Sequence, residues 1–492
     1  MTTPTGKHQL TLDKDLGRIS QLEYAAQYVS RPVTAFGIAL TLLVLAGLSA
    51  ALFFGQTPGA LTVVAAAVFG AYMALNIGAN DVANNMGPAV GANALTMGGA
   101  IVIAAICESA GALLAGGDVT STIAKGIIDP SGIADSTVFV WAMMAALISS
   151  ALWVNLATWI GAPVSTTHSV VGGVMGGGIA AAGISSVNWM TMGKIAASWV
   201  ISPVLGGIIA AIFLAFIKAK IIYTEDKIAA ARRHVPMLIG VMAGAFAAYL
   251  ALKGLKHVMK IGLPTAAAIG LAVGIVFYLI SKPLIYRQSI GMENRNKSLK
   301  TLFGLPLVLS AALLSFAHGA NDVANAVGPL AAIVHVTQAG DIAAKVSIPT
   351  WVMVIGAFGI SFGLFLFGPK LIRMVGSQIT KLNPMRAYCV SLAAAITVIL
   401  ASWLGLPVSS THIAVGAVFG VGFFREWHTE RRFRLNNVNK TGGKILSPEE
   451  RRRRKLVRRS HFMTIVAAWV ITVPAAAVMS GMIFYLLYSI AG

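Results

Sequence analysis

Two aspartates, Asp81 and Asp322, stand inside long apolar stretches, each within the same run, GANDVAN, at Gly78–Asn84 and Gly319–Asn325. An ionisable group held at mid-membrane costs about 3 kcal/mol on insertion scales, so a carboxylate kept there twice is a functional candidate. Amides flank both: Asn80 and Asn84 in the first copy, Asn321 and Asn325 in the second. On a helix the i, i+4 spacing sets Asn80 and Asn84 on one face, with Asp81 beside them. Carboxylate and amide oxygens are hard ligands that suit a small hard cation such as Na⁺. Gly78 or Gly319 just before, and Pro88 or Pro329 just after, would let the helix break and free its carbonyls for the same ion. Interhelical hydrogen bonding by the amides is the blander reading, and duplication of the whole block weighs against it. Glu108 is a third intramembrane carboxylate without a repeat, aligning locally with Ile360, and it too suggests cation coupling.

A second duplicated motif offers the opposite chemistry. Pro163-Val164-Ser165-Thr166-Thr167-His168 is matched by Pro407-Val408-Ser409-Ser410-Thr411-His412. Proline suits the first turn of a helix, where its missing N–H is not needed. The hydroxyls that follow then sit at a helix N-terminus, an end with free N–H groups and partial positive charge that favours anions. Hydroxyls plus oriented amides suit a tetrahedral oxyanion, although the same serines and threonines could simply cap the helix. His168 and His412 are as readily packed side chains as ligands or proton carriers. No GxxxxGK[ST] run is present, so the anion site is not that of an NTPase.

The elements that must hold these residues are membrane helices. The chain has 492 residues, 57% hydrophobic and only 11% charged, against about 25% charged residues in ordinary soluble domains. Runs such as Val33–Phe54, Ile195–Ile217 and Val346–Phe367 are long enough to cross a hydrocarbon layer about 30 Å thick. The net charge of +20 is concentrated in loops, including Arg451–Arg459. None of those loops is a convincing ordered basic domain, so positive-inside topology is preferred to nucleic-acid binding. Cys107 and Cys389 both lie in apolar segments, which indicates no disulfide framework, and the polar first residues lack the pattern of a cleaved signal peptide.

The two motifs recur in the same order, followed by a third pair, Trp199-Val200-Ile201 and Trp469-Val470-Ile471, so the chain is a duplication. Loop charge gives its sense. If Lys218–Val235 is cytoplasmic, so is Lys282–Lys300, two crossings later, and the repeats start on opposite sides. Equivalent loops then should differ in charge, and they do. Gly117–Thr137 holds one lysine against three aspartates, whereas its counterpart carries Lys370, Arg373, Lys381 and Arg386. Ile184–Gly193 has no basic residue, whereas its counterpart Arg425–His461 is arginine-rich. The expectation is an all-α polytopic membrane protein of two inverted-topology repeats, with broken helices or re-entrant hairpins and roughly 12 transmembrane segments. Its parts would be 1–58, an N-terminal cytoplasmic segment plus an extra helix; 59–217, the first repeat; 218–300, connecting loops and two helices; and 301–492, the second repeat. Within the last, 425–460 reads as a mobile basic cytoplasmic insertion, a topological anchor or a site for anionic lipid headgroups.

At these residues the sequence resembles the inorganic phosphate transporter (PiT) family, over nearly the whole chain from about Ala60; Glu108–Gly116 and Lys125–Asp129 look like its sodium-coupled branch. The resemblance implies a secondary transporter and no enzyme, importing inorganic phosphate with Na⁺, or alternatively H⁺, by alternating access. It implies a multi-pass protein of the cell inner membrane with no cofactor; its partners would be phosphate, the cation and membrane lipid, with a homodimer left open. By position, Ser165, Thr166, Thr167, Ser409, Ser410, Thr411, Asn84 and Asn325 would bind phosphate. Asn80, Asp81, Asn84, Asn321, Asp322, Asn325 and Glu108 would bind the cation. Sulfate is the rival substrate, but it has no proton to donate to Asp81 or Asp322. A more distant rival is an intramembrane metal-dependent hydrolase built on Asp81, Asp322, His168 and His412; it lacks an HExxH signature and a pair of carboxylates in contrasting environments.

Overall fold

The computed structural model describes residues 34–129, 133, 135–160, 164–254, 261–340, 348–378, 382–438 and 459–491. In lipid, every backbone N–H and C=O must be paired within the chain, and the apolar runs accordingly fold as helices. The first half comprises α1 (Thr34–Phe54), α2 (Ala60–Gly91), α3 (Met97–Ala115), α4 (Gly117–Lys125), α5 (Ser136–Ile160), α6 (Thr166–Ala182) and α7 (Trp189–Ile217). A connecting pair, α8 (Lys227–Lys253) and α9 (Leu263–Gln288), packs together through glycines. The second half comprises α10 (Asn296–Leu302), α11 (Gly304–Asp322), α12 (Ala324–Ala339), α13 (Thr350–Gln378), α14 (Pro384–Trp403), α15 (Ser410–Val438) and α16 (Arg459–Ala491). Among the described residues eleven helices are long and apolar enough to cross a membrane, with α11 and α12 counted as one span.

The segments around 163–183 and 407–424 are not among those eleven. Helix α6 has 17 residues, about 25 Å at 1.5 Å per residue, short of the hydrocarbon thickness. Helix α15 is apolar only up to Phe424, and the basic stretch from Arg425 to Val438 continues as helix. Residues 439–458 of the expected insertion, the N-terminal 1–33 and Pro163 lie outside the described residues. The shortness of α6 leaves the charge argument intact, because α5 and α6 form a hairpin that returns to its starting side. Its two ends are tied by an antiparallel bridge between Ile128 and Val187 and by a bond from Asp129 N–H to Ser186 O at 2.7 Å.

The halves interlock by exchange. Helix α2 packs on α13 and α11 on α3; α6 packs on α16 and α15 on α7. Backbone contacts repeat the same exchange. A Cβ on Gly78 would collide with Ile360 O, and one on Gly319 with Glu108 O. Gly363 meets Leu75 O as Gly111 meets Phe316 O. These four glycines are spatially equivalent in pairs, and they confirm the alignment of Glu108 with Ile360. The expected break in the GANDVAN helix differs between copies. Helix α2 runs unbroken through Gly78 and Pro88. Between α11 and α12 the ladder slackens at Val323, whose N–H reaches Gly319 O at 3.4 Å.

Candidate functional site

Helices α6 and α15 both begin in the protein interior, each with a serine as its cap. Ser165 Oγ accepts from His168 N–H at 3.1 Å and Ser409 Oγ from His412 N–H at 3.3 Å. The two starts meet: Thr167 donates its hydroxyl to Val408 O at 2.9 Å, and the rings of His168 and His412 lie edge to face 4.4 Å apart. His168 also rests on Trp199, with centroids 3.8 Å apart. The two histidines are thus a packed aromatic pair behind the hydroxyls, away from the carboxylates.

The hydroxyls that follow the caps face the aspartates, and they cross between halves. Asp81 accepts from Thr166 at 2.8 Å and from Thr411 at 3.1 Å, one hydroxyl from each half. Asn84 donates to Thr411 at 2.8 Å, and Asn325 donates to Thr167 at 3.2 Å and more weakly to Thr166 at 3.4 Å. Ser410 donates to Asp322 at 3.1 Å. All of these side chains are buried. Asp81, Asp322, Asn84, Asn325, Thr166, Thr167, Ser410 and Thr411 therefore form one cluster at the junction of the halves.

The other two amides turn away from it. Asn80 donates to Thr158 at 2.9 Å. Asn321 donates to Ser402 at 2.9 Å and accepts from Val408 N–H at 3.2 Å. Each ties its GANDVAN helix to the helix or loop leading into α6 or α15, in equivalent positions. Thus Asn80 and Asn84 share a helix but not a set of partners.

Sequence reasoning missed His318, four residues before Asp322. Its Nε2 lies 3.0 Å from Asp322 Oδ2 and 3.7 Å from Asp81 Oδ2, and its Nδ1 lies 3.3 Å from Glu108 Oε1. Glu108 Oε1 also accepts from Asn85 at 2.8 Å. The available signal was an ionisable residue in an apolar run where the first copy has Ile77. Ligand atoms of Asp81, His318 and Asp322 lie within 4.8 Å of one another, close enough to share one metal ion. Several buried acceptors around them take no hydrogen bond: Asp322 Oδ1, Asn325 Oδ1, Asn85 Oδ1 and Glu108 Oε2. Leaving a buried acceptor unpaired costs about 1–3 kcal/mol or more, and a cation is the partner that would satisfy several together.

The profile of the phosphate transporter family matches residues 77–480. The chain belongs to that family. It is 44% identical to a Helicobacter pylori (strain J99) protein named as a phosphate permease, the match covering 96% of this chain and 98% of that one. It is 37% identical to the Arabidopsis thaliana protein "Inorganic phosphate transporter 2-1, chloroplastic", over 84% of this chain and 70% of that one. A solved structure described as "The sodium-dependent phosphate transporter" superposes with a TM-score of 0.79 at 35% identity, covering 87% of this chain and all of that one. The protein is a multi-pass membrane phosphate transporter and not an enzyme.

Proposed function

We propose that this chain imports inorganic phosphate by symport with Na⁺ through alternating access, the cluster at the junction of the halves being the shared site. The observation that carries the reading is a juxtaposition: hydroxyls that could hold an oxyanion donate directly to carboxylates that could hold a cation. While Thr166 and Thr411 donate to Asp81, and Ser410 to Asp322, their hydrogens are not available to an anion. A cation on the carboxylates competes for the same oxygens and turns those hydroxyls towards phosphate. Loading the cation thus prepares the anion site, which is a physical basis for coupling.

The energetics call for such coupling. Carrying a phosphate dianion against an interior-negative potential costs about 4.6 kcal/mol at 100 mV, from about 2.3 kcal/mol per charge. Two cations cancel that charge and a third makes import electrogenic and favourable. The sodium-dependent protein of 35% identity supports Na⁺ over H⁺, as do the unpaired acceptors Asp322 Oδ1 and Asn325 Oδ1. His318, between Glu108 and Asp322, is the one feature that favours a proton instead. We place the repeats in inverted sense, and the protein in the cell inner membrane with its basic loops inside, on the strength of loop charge.

Labelled-phosphate uptake into proteoliposomes, with sodium and pH gradients imposed separately, tests the proposal. Accumulation driven by the sodium gradient alone is expected, with sulfate a poor competitor. Uptake indifferent to both gradients would exclude symport, and uptake following pH alone would assign the cation as H⁺.

A further inference from the structure

Helices α7 and α15 cross at backbone contact, with Gly416 against Pro203 O and Gly420 against Gly207 O. Beside that crossing a groove of about 920 Å³ opens, unrelated to the carboxylate cluster. One wall is the stripe Val200, Val204 and Ile208 of α7; the other is Phe419 and Phe423 of α15, and Val470 of α16 closes a side. Val200, Val204 and Ile208 are more than half exposed, so in a membrane the groove faces lipid. Its inner end is the His168–His412 pair, and its outer end is Phe424 and Trp427.

The two ends differ in character. At the outer end the Lys218 ammonium sits 5.2 Å from the Phe424 ring centre, and the Arg431 guanidinium 5.4 Å from that of Trp427. An aromatic and basic rim above an apolar slot matches the interfacial zone of a membrane, where tryptophan and cationic side chains meet headgroups. From His412 to Trp427 along α15 is about 22 Å at 1.5 Å per residue. Half of a bilayer with its headgroups is also about 20–22 Å. The groove thus has the length of one leaflet, with its charged end at the surface that the loop charges assign to the cytoplasm.

We infer that this groove holds one anionic phospholipid of the cytoplasmic leaflet, its acyl chain between α7 and α15 and its headgroup on Lys218 and Arg431. Complementarity of charge favours this occupant over a second copy of the chain, whose equivalent rim would set cation against cation. The acyl chain ends on His168 and His412, each one residue beyond a threonine of the transport cluster, so occupancy bears on the packing behind Thr167 and Thr411. The inference is independent of which cation drives transport.

Native mass spectrometry of the full-length protein, with phosphatidylglycerol or phosphatidylcholine added to the detergent, tests it. Wild-type protein is expected to retain one phosphatidylglycerol, and Val204→Trp, which fills the slot, to retain none. Lys218→Gln with Arg431→Gln is expected to keep the slot but lose about 30-fold in preference for phosphatidylglycerol, at about 1 kcal/mol for each cation near the surface. Ile208→Trp serves if Val204→Trp does not yield folded protein by size exclusion. Equal retention by wild type and the tryptophan variant, or equal preference after removal of both cations, would overturn the inference. So would disulfide cross-linking of two copies through Val204→Cys in native membranes, which would assign the groove to a dimer contact.

Discussion

The two halves carry nearly the same motifs, yet the surroundings of their aspartates are opposite. Next to Asp322 runs a polar chain: Asn85 to Glu108 at 2.8 Å, Glu108 to His318 at 3.3 Å, His318 to Asp322 at 3.0 Å. The equivalent positions in the other half are Ala326, Ile360 and Ile77, all buried in one apolar cluster. At each of these three positions the other half is apolar, and the three polar residues touch in succession. Asp81 instead has both carboxylate oxygens occupied by threonine hydroxyls, one from each half. Duplication supplied two copies of one site. Divergence made one a cross-link between the halves and left the other with unpaired acceptors.

If that division holds, Asp322→Asn is the most damaging single change. Removing one member of a buried charged set costs about 3–5 kcal/mol, so sodium-driven uptake should fall by about 100-fold or more. Asp81→Asn keeps an oxygen that can accept from Thr166 or Thr411, and its loss should be about tenfold smaller on that scale. Both are measured as initial uptake per protein inserted in proteoliposomes. Equal loss in the two variants would erase the distinction between the copies.

Glu108→Gln sharpens the comparison from the polar chain. Hydrogen bonds to charged groups contribute about 1.5–3 kcal/mol, so the sodium concentration for half-maximal uptake should rise about tenfold or more. His318→Ile, which gives the second half the residue of the first, should move the same quantity in the same direction. A change in phosphate half-saturation at unchanged sodium dependence would place the chain on the anion side instead.

Below these come the close backbone contacts, where the halves should behave alike. A methyl at Gly78 or Gly319 runs into the carbonyl of Ile360 or Glu108, and overpacking of this kind costs about 1–3 kcal/mol. Gly78→Ala and Gly319→Ala should lower Tm in detergent by similar amounts. A much larger drop at Gly319 would mean that displacing Glu108, and not backbone crowding, is what destabilises.

Much of this arrangement was legible in the sequence, because apolar run length, loop charge and exact repetition each leave a direct trace. The duplicated GANDVAN and PVS[ST]TH blocks contain the residues that converge; Ser165 and Ser409 take the capping role that was the blander reading, and Pro407 lies before the Ser409 cap instead of in the helix's first turn. What could not be read was direction. Asn80 and Asn84 look equivalent by type and spacing, but one bonds to Thr158 and the other to Thr411, a matter of which neighbour each helix face meets. His318 was hidden for a related reason. Repetition marks residues that occur twice, whereas His318 occurs once, opposite Ile77 in the first copy. The length of α6 was obscured by the apolar residues on both sides of its start.

The smallest expected effect tests the outward amides. Asn80 and Asn321 each hold a neighbouring element through a hydrogen bond to a side chain or loop, and such bonds between membrane helices average about 0.6 kcal/mol. Asn80→Ala and Asn321→Ala should therefore lower Tm slightly while leaving the half-saturating concentrations of sodium and phosphate in place. Asn321 should cost more of the two, because it also accepts from Val408 N–H and so fixes the approach to the Ser409 cap. A tenfold weaker sodium dependence in Asn80→Ala would instead make that amide a ligand in a state where the helix has turned, and the two halves would then be more alike than their present hydrogen bonds suggest.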